Sequence, residues 1–145
     1  MNRELASGAM FRVEQQGAGV GLVIGVTLVI AAVGCVIRLF GFRAARAFVE
    51  HTPVVRKLDE ASRRLMVGRV QVAIAWAQGF RLTPAMCLRR AVAAAVLLRL
   101  VDIPAVVVIG IQRLPFAAHA WTEVYGQVIT EREGWVHDYQ IIDSF

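Results

Sequence analysis

At 145 residues the chain has room for one domain of ordinary size and little else. Its hydrophobic share of 57% and mean hydropathy of +0.57 exceed the usual soluble range, and part of the excess lies near the N-terminus. Only two cysteines occur, Cys35 and Cys87, with no CxxC, so nothing suggests a disulfide framework or a structural zinc site.

The net charge of +5 is uneven. Residues 1–100 carry 14 Lys/Arg against 5 Asp/Glu, and residues 101–145 carry 2 against 6. The basic residues are scattered through helical patterns without interleaved aromatics, so solvated helix faces explain most of them and nucleic acid is not expected as a partner.

Residues 1–16 read as a frayed or weakly helical lead. From Gly17 to Ile37 the chain carries no charge, a run long enough for a bilayer-crossing helix of about 20 apolar residues. A membrane span or membrane-docked helix and a helix buried in protein fit this run equally. Arg38, Arg43 and Arg46 follow it, so a span would leave the C-terminal portion in the cytoplasm. Cys35, inside the run, behaves as a small hydrophobe. Gly17, Ala18, Gly19, Val20 and Gly21 look superficially like a dinucleotide loop, but Leu22 stands where a last glycine is needed and no strand precedes it.

Thr52-Pro53 predicts a helix start, a capping hydroxyl before a proline whose missing N–H costs nothing in the first turn. The pattern then predicts a helix over 54–78, divided near Gly68 and ended by Gly79. Thr83-Pro84 opens a third helix to about Val101, broadly apolar, with Arg89, Arg90 and Arg99 marking its wetter side. Beyond Asp102-Ile103-Pro104 the texture becomes β-branched. Strands are predicted over 105–111, 118–124, 128–130 and 139–142, with a loop over 112–116 and a tight turn at Gly126. Helices followed by an antiparallel sheet make the class α+β.

Two residues in this layout carry chemistry. Cys87 falls in the first turn of the third helix, where a helix N-terminus and a nearby imidazolium both favour the thiolate. His119 lies on the second strand, sharing one face with Ala117, Trp121 and Glu123. If that face looks at the start of the Cys87 helix, sulfur and imidazole meet as nucleophile and base. Each alone reads more readily as core packing. A third group should orient the imidazole, and Glu131, returned alongside by the hairpin, is the first candidate. Asp138 and Asp143 are rivals, and Glu123 lies further along the His119 face. Trp121 could shield the pair from water, and His137 has no thiol at suggestive spacing. This chemistry requires no cofactor and no metal.

The segment CLRRAVAAAVLLRLVDIPAVVVIGI, residues 87–111, with PFAAHAWTEVYGQVI, residues 115–129, closely resembles lasso-peptide biosynthesis B proteins, the McjB-type leader peptidases. These fall in the wider transglutaminase-like and papain-like cysteine peptidase group. The resemblance is strongest over residues 84–131. It implies Cys87 as nucleophile and His119 as general base. Glu131 stands where the family typically has aspartate, and Asp102 where it often has glycine.

The resemblance also implies a fold and a task. The fold would be N-terminal helices, then a Cys-bearing helix on a small antiparallel sheet. Residues 1–82 would form a helical region containing apolar helix 17–37, and residues 83–145 the cysteine peptidase core, as one compact unit. The task would be removal of the leader from a ribosomally made precursor peptide. A separate leader-binding protein, a RiPP recognition element, would present that precursor, and an ATP-dependent lasso cyclase would act on the product. The expected location is cytoplasmic, associated with the inner face of the membrane if the apolar helix docks there. Two other readings stay open: acyl transfer on the same fold, and a non-enzymatic membrane-associated interaction protein.

Overall fold

The computed structural model describes residues 19–77, 84–131 and 133–145. Helices α1 (Val20–Glu50), α2 (Glu60–Ala77) and α3 (Pro84–Arg99) precede strands β1 (Ala105–Gln112), β2 (Ala117–Val124), β3 (Gln127–Val128) and β4 (Gln140–Ser144). A one-turn helix, α4 (Glu133–Val136), comes just before β4. The strands form one antiparallel sheet in the order β3-β2-β1-β4. The class is α+β, helices first and sheet second, as the change of texture after Pro104 predicts.

α3 is the centre of the molecule. Ala91, Val92, Ala93, Ala94, Ala95 and Leu98 are wholly buried, between α1 and α2 on one side and β1 and β2 on the other. A run of alanines lets backbone approach backbone from several directions, which a helix of large side chains could not permit. The arginines of α3 do not mark a wet side. Arg90 is buried, Arg99 donates to two backbone carbonyls, and the Arg89 guanidinium lies against Gly34 of α1. Each charge has been drawn inward by polar or close-packed partners, which a periodicity argument does not see.

α1 breaks at Gly41, whose φ of 78° is left-handed backbone that glycine adopts at little cost. The break redirects the chain so that Ala45 and Val49 reach the core. Before it, Val26, Ile30 and Val33 are buried, while Ile24 and Leu28 remain more than half exposed. By length and composition α1 is apolar enough to cross a membrane, a property it shares with core helices and signal sequences.

Thr52-Pro53 does not start a helix. The Thr52 hydroxyl turns back to donate to Phe48 O at 2.7 Å, closing α1. Residues 52–59 run without helix across the end of α3, where the N–H groups of Val55 and Arg56 donate to Leu100 O. That strap satisfies a C-terminal carbonyl that α3 cannot satisfy internally. α2 begins later, with Asp59 accepting from the Ser62 N–H, and it passes Gly68 unbroken. The expected signals at Gly79 and Thr83 lie outside the described residues. In the sheet, β3 is shorter than predicted. Ile129 still donates to Thr122 O, but Thr130 offers its hydroxyl to the Thr122 N–H in place of a ladder bond.

Candidate active site

Cys87 is the fourth residue of α3 and is buried. Within the first turn, backbone N–H groups lack helical acceptors and the macrodipole favours negative charge. The sheet meets this point at an open edge. β3 pairs with β2 at Glu123 and Val124, so among the described residues the outer edge of β2 is free of the ladder near Ala120. The Ala120 N–H, left free there, donates to the Cys87 sulfur.

His119 lies one residue before Ala120, paired with Gly110 across β1. Its row does not face the body of α3. Thr122, of the opposite row, donates to Ala91 O of that helix at 2.9 Å. Sulfur and imidazole are nevertheless hydrogen-bonded, and the sulfur also takes the Ala120 N–H of the same strand.

Glu131 arrives by the hairpin that continues past β3. Its Oε1 is 3.3 Å from Nε2 of His119. The N–H misses strict hydrogen-bond alignment, so the contact is foremost an ion pair, of the loose kind catalytic contacts often have before substrate binds. With Nε2 turned to the carboxylate, Nδ1 is the nitrogen available to sulfur. The rivals for this place are engaged or remote. Glu123 accepts from the Trp121 indole at 2.8 Å, Asp143 pairs with Arg46 at 3.1 Å, and Asp138 is exposed. His137 is exposed as well.

The electrostatics favour charge separation. The Cys87 sulfur, then the Glu131 carboxylate, raise the His119 pKa from 6.5 to about 9 against the effect of burial. Burial pushes the Cys87 thiol up, but the hydrogen bonds from His119 and Ala120 outweigh it and bring the thiol below its ordinary value. Burial likewise raises Glu131, and His119 with Arg90 more than reverse that. A thiolate facing an imidazolium braced by a carboxylate is the state these three shifts describe.

Aromatic rings close the back of the site. Trp121 is almost fully buried and stacks on the imidazole with centroids 6.3 Å apart. Tyr139 lies 5.7 Å from the imidazole and 6.2 Å from Trp121. Gly110 makes room for them, since a Cβ there would stand 2.8 Å from both rings' atoms or stems, Trp121 Cη2 and Tyr139 Cβ. Among the described residues no group of three His, Cys, Asp or Glu is arranged to hold a metal ion.

Sequence reasoning missed Arg90. Its Nη2 donates to Thr130 O at 3.1 Å and to Oε1 of Glu131. The spacing offered one sign, an arginine three residues after the cysteine and so on the same helical face. Its burial was not readable.

A thiol near a helix start, an imidazole on a strand and a carboxylate beside it are the groups that thiol-dependent acyl chemistry requires, here on an α+β frame. Residues 28–144 match the transglutaminase-like superfamily, and the chain belongs to that superfamily. Members are usually enzymes, cysteine peptidases or acyl transferases. No curated protein and no solved structure matches the chain.

Proposed function

We propose that the protein is a cysteine peptidase that removes the leader from a ribosomally made lasso-peptide precursor. The observation that carries the chemistry is the imidazole of His119 set between the Cys87 thiol and the Glu131 carboxylate. The resemblance of residues 87–129 to lasso-peptide B proteins supplies the substrate. The Cys87 thiolate attacks the peptide carbonyl at the leader–core junction and forms a thioester. His119 gives its proton to the departing amine, then takes one from water, whose attack releases the leader and returns the thiol. N–H groups at the start of α3 stabilise the oxyanion in both steps. The precursor is presented by a separate leader-binding protein, and the freed amine passes to a cyclase. Work at the inner face of the membrane, with the exposed side of α1 against lipid, fits the same reading.

The test is incubation of the precursor and leader-binding protein with wild-type and Cys87→Ala protein. Wild-type protein is expected to release leader and core with the mass of one water added. Cleavage undiminished in Cys87→Ala would sink the proposal. A product heavier by an added amine in place of water would assign the same site to acyl transfer.

A further inference from the structure

Arg90 takes no part in bond making, yet it sits at the most constrained point of the site. The residue is 3% exposed, the one buried charge among the described residues. A charge so deep persists only when paired and hydrogen-bonded. Here a single nitrogen, Nη2, holds both the carbonyl just before Glu131 and Oε1 of Glu131 itself. Oε1 is also the oxygen that faces Nε2 of His119. A glutamate has three side-chain torsions to fix, and gripping its backbone approach and its tip from one guanidinium leaves little freedom in any of them.

Arg90 also lies one turn from Cys87 on the same rigid helix. The four residues therefore close a ring. Sulfur meets imidazole, imidazole meets carboxylate, carboxylate meets guanidinium, and α3 returns from guanidinium to sulfur.

We propose that Arg90 is a positioning residue, holding Glu131 against His119 in register with Cys87 and so making a glutamate competent in the acid position. This rests on Cys87 and His119 being the reacting pair. An ion pair that served only the fold would lower Tm when broken and leave the response of the Cys87 thiol to pH unchanged. A clamp on Glu131 sets how firmly the imidazolium is held, and thereby how much thiolate survives at low pH. The groups facing the imidazole are Cys87 and, through Glu131, Arg90 from α3, Glu131 itself, and the Tyr139 ring. Glu123, two residues along β2, has its carboxylate held by the Trp121 indole.

The experiment is the rate of Cys87 alkylation by iodoacetamide from pH 5 to 9. It is read by mass on the peptide containing Cys87, so that exposed Cys35 does not contribute. It needs neither precursor nor partner and is blind to which acyl chemistry follows. Arg90→Gln is expected to slow alkylation at pH 6 by about tenfold, one pKa unit in the acid limb, which moves to higher pH. Arg90→Lys is expected to lose only about threefold, keeping the charge but not the planar fork. In a Glu131→Gln background, Arg90→Gln should add less than about twofold, because its route of action is already gone. A folded Arg90→Gln protein with the wild-type rate and profile would overturn the proposal. So would an equal loss with and without the Glu131 carboxylate. If Arg90→Gln does not fold, the same cycle run with Arg90→Lys decides by the same comparison. A wild-type Cys87 that alkylates no faster than an ordinary thiol would instead overturn the Cys87–His119 reading beneath it.

Discussion

Near the N-terminal end of α3 an inward-turned arginine reaches a titratable side chain, whereas the one near its C-terminal end reaches only backbone carbonyls. Arg90 there meets Glu131, which meets His119, which meets Cys87. Arg99, at the other end, donates to Ala105 O at 2.8 Å and Val49 O at 2.9 Å, beside the strap that bonds Leu100 O. Carbonyls do not exchange protons in this range. An inward-turned arginine is therefore no sign of chemistry by itself. What matters is whether its partner can titrate, and in this helix only the first end has such a partner.

That contrast is broken most severely at His119. His119→Ala should reduce precursor cleavage by on the order of 10³-fold, the usual scale of a lost acid–base group, and Cys87 alkylation at neutral pH by roughly 30-fold, since an ordinary thiol keeps only a few per cent thiolate there. The same variant should erase a pH dependence whose sign is fixed. The folded pKa of about 9 lies above the ordinary 6.5, so the stabilisation from the bound proton is whole below pH 6.5 and lost as pH rises through 9. Thermal unfolding against pH, wild type beside variant, reads it. Next in size is Gly110→Ala, whose new Cβ would collide with Trp121 and Tyr139 behind the imidazole. It is expected to cost about 1–3 kcal/mol in denaturant unfolding and to slow alkylation of Cys87 as well. The smallest effect sharpens the comparison from the other end. Arg99→Ala should cost roughly 1–2 kcal/mol, yet leave the pH profile of Cys87 alkylation superimposable on wild type. A shifted profile there would erase the distinction between the two ends.

Asp102 belongs to the architectural end. It takes φ 63°, backbone that favours glycine, and its carboxylate pairs with Arg63 at 3.1 Å. The departure noted in the sequence thus falls on a turn.

Much of the fold was legible because it rests on local pattern. The β-branched run after Pro104 and the turn at Gly126 gave the sheet close to its true bounds. Thr52-Pro53 misled because a capping hydroxyl works in both directions, and α1 had a free carbonyl for it. Gly68 misled because one glycine weakens a helix without ending it.

For the site, local pattern determined that a thiol would stand in the first turn of a helix and an imidazole on a strand, with Glu131 within reach of the hairpin. Helix polarity and strand alternation need only neighbouring residues, so the sequence alone carries them. Tertiary structure decided the rest. The Cys87 sulfur meets both the His119 imidazole and the Ala120 N–H of β2. Glu131, and neither Asp138 nor Asp143, stands 3.3 Å from the imidazole, and a guanidinium from α3 holds it there. Contacts between separate elements depend on where strands end and helices cross, and no local periodicity encodes that.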